Sequence, residues 1–156
     1  MKKLILILFL CSFANIFAQD VDSYIELLKS DVKAEKKAII TEVMAFTDQE
    51  AGAFWPIYRK FEFELDKLSD QRIANIKDFA ANYDSLTDVK ADQLINNSFD
   101  FLGDRLNLNE KYYNKFAEAL SPTVAAKYMQ LEHEIQLIID LKISSNMPLA
   151  KKPGTK

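Results

Sequence analysis

The sequence predicts an all-α protein of four helices, built around a long antiparallel αα-hairpin. Its 156 residues include only 3 Gly and 4 Pro, too few for the many turns of a β-sandwich or barrel. Apolar residues recur at alternating spacings of three and four along two long segments, which is the period of a helix. Three segments also begin with residues typical of helix starts. These features favour helices throughout.

The N-terminus has the features of a secretory signal peptide over residues 1–18. Two lysines precede an apolar run that ends at Phe13, and Ala18 is a small residue of the kind found before a cleavage site. The run is too short to span a bilayer. We therefore expect cleavage after Ala18 and a periplasmic protein with one helical domain over 19–146.

Charge and cysteine content narrow the function classes. Removing Lys2 and Lys3 leaves 18 of the 20 basic residues against 23 acidic ones, so the formal charge changes from −3 to −5. Nucleic acid is not expected as a partner, because its recognition needs a basic face. Cys11 is the only cysteine, and Leu10 before it is not the small residue of a lipidation signal. The mature chain must therefore be stabilised without a disulfide.

Three helix starts can be located from their capping residues. Thr47, Thr87 and Ser121 each have a hydroxyl that can accept a hydrogen bond from a free amide of the first helical turn. Glu50 stands three residues after Thr47 and completes a capping box. Pro122 suits the first helical position. These residues are interpreted as helix caps.

The segments after Thr47 and Thr87 form the predicted hairpin. If the two helices run antiparallel, every member of one apolar stripe meets a member of the other in a single register, with Leu68 opposite Leu106. The stripe predicted for the third helix consists of Ala91, Ile95, Ser98, Leu102, Leu106, Asn109, Tyr113, Phe116 and Leu120.

The other two helices follow from weaker patterns. Folding the last helix back on the third places Gly103 opposite Ile138, where a missing side chain would let two helices approach closely. The first helix, from about Val21 to Met44, shows no clean register, so it either crosses the bundle or packs against a second chain. The tail over 147–156 is expected to be disordered.

Pro56 and Trp55 stand together near the start of the second helix. Pro56 removes a backbone hydrogen bond to Gly52, which predicts a kink. Trp55 has two interpretations: it covers the end of the bundle beside a neighbouring helix, or it anchors a binding partner. The first is favoured, since aromatic residues at helical spacing are usually core.

No catalytic or metal centre is predicted. His133 is the only histidine, and zinc or copper sites need more nitrogen or sulfur ligands than this chain offers. His133 is expected to be exposed on the last helix. Glu62, Glu64 and Asp66 are interpreted as solvated carboxylates on the polar flanks of a helix. The sequence contains none of the common nucleophile or phosphate-loop motifs, so we expect neither an enzyme nor a cofactor.

Two polar residues interrupt the apolar stripes of the hairpin. Burying Arg72 without a partner would be costly, so it either extends to solvent, pairs with a carboxylate of the first or last helix, or marks a gap in the core. Asn109 is the equivalent residue on the third helix. A structural role in setting register is the preferred interpretation of both.

The segments "FTDQEA" (46–51) and "LTDVKA" (86–91), with the signal peptide and four helices, resemble the Spy/CpxP-like family of periplasmic proteins with the LTxxQ motif. The chain is also similar to a set of small exported helical proteins, described as sensors of extracytoplasmic sigma-factor systems. The segments that carry this second likeness are FWPIY (54–58), LTD (86–88), LSP (120–122) and QLE (130–132).

The two resemblances imply different functions. The first implies an envelope-stress protein, often a homodimer, that binds unfolded proteins without ATP. The second implies a sensor or adaptor that docks a membrane or anti-sigma partner. Narrow stripes on long helices and an aromatic content of 12% favour a binding surface, because they leave apolar area outside the core.

Overall fold

A computed structural model describes residues 35–151, and the all-α prediction is confirmed for this part of the chain. Helix α1 occupies 35–44 of the described residues. It is followed by α2 (Asp48–Asn82), a short 3-10 turn (Tyr83–Ser85), α3 (Asp88–Ala119) and α4 (Pro122–Ser145). The predicted signal peptide, Cys11 and the expected start of the first helix lie outside the described residues.

The predicted caps are present at all three helix starts. The Thr47 hydroxyl accepts from the Glu50 amide, and the Glu50 carboxylate accepts from the Thr47 amide at 2.9 Å, which confirms the capping box. The Thr87 hydroxyl accepts from the Lys90 amide. The Ser121 hydroxyl accepts from the amide of Val124, in the first turn of α4. These bonds satisfy amides that have no partner within their own helix.

The antiparallel hairpin of α2 and α3 is confirmed, but α3 presents a different stripe from the predicted one. The Phe54 and Phe116 ring centroids lie 5.0 Å apart, as expected for a hairpin. The α3 residues that are buried are Leu94, Phe101, Leu108, Tyr112 and Phe116. Leu106 is 68% exposed, so its predicted place in the core opposite Leu68 is wrong.

The reason lies in the composition of α3. Apolar residues stand at neighbouring positions, such as Leu94 with Ile95 and Phe101 with Leu102, so two stripes about 100° apart share the helical period. The stripe that contains Phe101 and Tyr112 buries more area, because aromatic side chains are larger. It therefore turns toward α2.

Helix α4 packs on α3 about one helical turn away from its predicted register. The Tyr128 ring lies 4.8 Å from that of Phe116, centroid to centroid. The prediction that Gly103 lets α3 and α4 approach closely is wrong. Gly103 is exposed, and a Cβ added there would have no neighbour within 4 Å. Ile138 is 58% exposed.

The described part of α1 packs within its own chain. Ile40 and Met44 are buried in the common core with α2, α3 and α4. Lys36 reaches carboxylates on α2 and α4. Residues 35–44 therefore pack on the helix bundle of their own chain.

Two further predictions concern Pro56 and the C-terminal tail. Helix α2 continues as one helix through Pro56, and the kink predicted there stays a prediction.

Residues 147–151, expected as part of a disordered tail, lie beside the hairpin turn. The Lys151 ammonium donates to Asp84 and lies 4.4 Å from the centroid of the Tyr83 ring. Residues 152–156 lie outside the described residues.

Candidate functional site

Trp55 lies in an aromatic cluster at the end of the bundle where α2 and α4 begin and α3 ends. Its ring is half-buried and makes edge contacts with Phe54 at 5.1 Å and Tyr58 at 5.3 Å. The Lys37 ammonium of α1 lies 5.5 Å from its centroid. Trp55 thus covers the bundle end beside a neighbouring helix, and its role as a partner anchor stays a prediction.

A buried ion cluster joins three helices below these aromatic rings. The Lys36 ammonium donates to Glu62 at 2.6 Å and to Glu132 at 2.8 Å, and the Lys36 side chain is only 4% exposed. The Tyr128 hydroxyl donates to Glu132 at 3.1 Å. One ammonium therefore faces two carboxylates, and burial raises the pKa of Glu62 above its ordinary value, although the charge of Lys36 opposes this. Interpreting Glu62 as a solvated carboxylate is wrong, since its side chain is only 18% exposed.

Burial and mutual attraction shift the pKa values of this cluster. Burial by itself lowers the pKa of Lys36, but the charges of Glu132 and Glu62 outweigh it and leave that pKa above its ordinary value. Burial also raises the pKa of Tyr58 and of Tyr128, and the neighbouring carboxylates raise both further. All three groups therefore hold their protons more tightly in the folded state.

We expect the protein to lose stability steeply in alkaline solution. Above about pH 10, the unfolded chain releases protons that Lys36, Tyr58 and Tyr128 retain when folded, so the free energy of unfolding falls as pH rises. Each group contributes up to about 1.4 kcal/mol per pH unit. Urea titrations followed by circular dichroism from about pH 7 to about pH 11.5 measure this slope. Tyr128→Phe should flatten it, and a urea midpoint independent of pH would contradict the shifts.

A second ion group fastens α2, α3 and α4 further along the bundle. Arg72 donates to Asp140 at 2.5 Å, and Arg105 donates to the other carboxylate oxygen at 3.1 Å. Both guanidinium groups also lie about 5 Å from the Phe101 ring. Burial by itself raises the pKa of Asp140, but the two arginines outweigh it and hold that pKa below its ordinary value. Of the roles predicted for Arg72, the structure shows pairing with a carboxylate of the last helix.

The outer side of α3 carries an exposed apolar stripe, which we name the α3 outer face. It consists of Ile95, Phe99, Leu102 and Leu106, each between 48% and 68% exposed. Their spacings of four, three and four residues place them on one side of the helix. Leu137 of α4 lines the same groove as Leu102 and Leu106. This surface contains three of the residues that the sequence predicted as core.

The apolar surface continues past this stripe in two directions. A groove of about 340 Å³ opens beside the hairpin turn. Its apolar lining residues include Phe79, Leu86, Ile95, Leu102 and Met147. On α4, Leu137, Ile138 and Leu141 are 53–70% exposed. The four residues of the α3 outer face and Leu137 together expose on the order of 500 Å², the size of the largest apolar patch on a typical monomer, which is often functional.

Within residues 35–151, no group of three or more His, Cys, Asp or Glu side chains is arranged to hold a metal ion. His133 is exposed on α4. The capping residues Thr47, Glu50, Thr87 and Ser121 all bond to backbone at helix starts. No helix of the described residues is both long and apolar enough to cross a membrane.

No family model matches the chain, and no curated protein or solved structure matches it.

Sequence reasoning missed the ion cluster and misplaced the apolar face. The signal for the cluster was Lys36, a charged residue four positions before the buried Ile40 of α1, but its partner Glu132 lies 96 residues away. The signal for the α3 outer face was the presence of two apolar stripes on α3, about 100° apart. A helix with two apolar stripes has more apolar surface than one neighbour can cover.

Proposed function

We propose that this chain is an exported envelope-stress protein that binds unfolded proteins without ATP. The observation that carries the proposal is the α3 outer face with its apolar extensions on α4 and beside the hairpin turn. Unfolded chains expose apolar segments, and a solvent-exposed apolar surface of this extent can shield them from each other. The likeness to the LTxxQ proteins supports the same function.

The packing of the helices below the face also supports this proposal. The face is built on long helices that the core aromatic residues and the Arg72–Asp140–Arg105 group hold in place. No buried side-chain nitrogen or oxygen of the described residues lacks a hydrogen-bond partner. The surface can therefore stay exposed without loosening the bundle below it.

The alternative is a sensor or adaptor that docks one membrane or anti-sigma partner. The stripe of four residues with regular spacing favours it, because one helix of a single partner would match such a stripe. A broad chaperone and a specific adaptor differ in how many proteins they bind.

The test is light scattering of two unrelated aggregating clients, one unfolded by heat and one by disulfide reduction. A stoichiometric amount of this protein, without ATP, should slow aggregation of both. If neither is slowed, the chaperone proposal is wrong and the adaptor is the better account. Albumin at the same mass concentration controls for crowding.

A further inference from the structure

The groove beside the hairpin turn is partly covered by residues 147–151 of the same chain. Its walls come from α2, α3 and the end of α4, and Met147 and Ala150 line it as well. Met147 is partly buried, whereas Leu149 between these two residues is 91% exposed. The segment therefore crosses the groove with two of its residues against it.

The sequence explains why this segment leaves α4 at the groove. Helix α4 ends at Ser145 and is capped by Asn146. The Met147 amide donates to the Ser144 carbonyl at 3.2 Å, which closes the last turn. Pro148 has no amide hydrogen and disfavours helical geometry at the residue before it. The chain therefore turns away from the helix at Met147.

One charged side chain fastens the far end of the segment. The Lys151 ammonium donates to Asp84 in the 3-10 turn and lies over the Tyr83 ring. The Lys151 and Asp84 side chains are 43% and 87% exposed, so water and salt compete with their ion pair. Within the described residues, no backbone hydrogen bond joins 148–151 to another element. A segment held in this way can open while the bundle below stays intact.

Opening of the segment would enlarge the client surface. Ile95 and Leu102 belong both to the groove and to the α3 outer face, so the two apolar surfaces are continuous. Phe79 and Leu86 line the same groove and are partly buried while the segment is in place. Without residues 147–151 across it, the groove extends the exposed stripe of α3 toward the hairpin turn.

We propose that residues 147–151 form a strap that limits access of unfolded clients to this groove, and that an apolar segment of the client displaces the strap. The two compete for the same apolar residues. Releasing the strap therefore raises the apparent affinity for clients, because a larger fraction of the molecules has an open groove. The inference rests on the proposed function for the identity of the ligand, and it adds the regulation of the same site.

Four variants of the mature chain test whether the ion pair holds the strap. Lys151→Gln and Asp84→Asn each break the pair from one side, whereas Lys151→Arg keeps it. Asp104→Asn is the charge-matched control, because Asp104 is exposed on α3 away from the apolar stripe. The heteronuclear NOE of the 149–151 amides should fall in the two disrupting variants and stay unchanged in the two controls. Wild-type values as low as those of a free terminus would overturn the proposal.

A dye and a client then test what the strap covers. Nile red is uncharged and fluoresces in apolar surroundings, so it reports an open groove without any client. Lys151→Gln and Asp84→Asn should both raise its fluorescence. In light scattering of a heat-unfolded client, both should reach the protection of the wild type at about half the concentration or less. Lys151→Arg and Asp104→Asn should match the wild type in both measurements.

The two measurements separate this inference from the proposed function. If the wild type protects the client and the two disrupting variants protect no better, the strap does not control the site and this inference alone is wrong. If Nile red fluorescence rises in both disrupting variants but no form of the protein protects a client, the strap does cover the groove and the chaperone proposal is the one that is wrong.

Discussion

Replacing Lys36 by methionine should lower the free energy of unfolding by about 3–5 kcal/mol. The substitution keeps the apolar volume of the side chain but leaves the carboxylates of Glu62 and Glu132 buried together without their counter-ion. An unpaired buried charge costs far more than a lost surface ion pair. Urea denaturation followed by circular dichroism measures the change.

Two controls make this result specific to the ion cluster. Lys37→Met changes the adjacent residue, which is exposed on the same helix and whose side chain contacts only the Trp55 ring among the interactions described, and it should alter stability by about 1 kcal/mol or less. Adding Glu62→Gln and Glu132→Gln to Lys36→Met removes the stranded charges and should recover at least half of the loss. A cost below about 1 kcal/mol for Lys36→Met alone would mean that the cluster is not buried as described.

Leu108→Ala should destabilise the protein by about 2–5 kcal/mol, whereas Leu106→Ala should cost about 0.5 kcal/mol or less. The two leucines stand two residues apart on α3, but Leu108 is 7% exposed and Leu106 is 68% exposed. Only the first substitution removes packed atoms and leaves a cavity in the core. Urea midpoints at neutral pH give both values.

This pair decides between the two stripes of α3. The register predicted from sequence makes Leu106 the core residue and would reverse the order of the two costs. Equal costs would mean that both stripes are covered, for example by a partner on the outer side. The leucine pair is matched in residue type, helix and distance from the hairpin turn.

Local features of this fold were predictable because their signals lie close together in sequence. The three caps depend on residues within four positions of each other, and all three are observed. The hairpin was predictable because two long periodic segments flank a short turn near Thr87. Arg72 could be recognised as a residue in need of a partner, since a charge inside an apolar stripe must be compensated.

The choices that sequence could not make depend on distant parts of the chain. Which stripe of α3 faces α2 depends on how all the aromatic rings pack, and periodicity is the same for both stripes. The register of α4 follows from the contacts of Tyr128 and Asp140 with α3, which periodicity does not specify. The partners of Lys36 come from two other helices.

The candidate site could be predicted only in part, because its exposure also depends on distant parts of the chain. Ile95, Leu102 and Leu106 could be identified as apolar and periodic, but the pattern of a core stripe and that of a binding stripe are identical. Only the number and position of the surrounding helices decide which of the two is buried. Trp55, the residue chosen from sequence, lies instead among the ring contacts at the end of the bundle.

The central claim is that the α3 outer face shields unfolded proteins, and the most direct test is light scattering with a variant of that face. The double variant Phe99→Gln with Leu106→Gln should lose most of the protection of an aggregating client while keeping wild-type helicity and stability. Phe63→Gln is the matched control, because Phe63 is 61% exposed on α2, and it should protect like the wild type. Full protection by the double variant, or equal loss in both, would contradict the account.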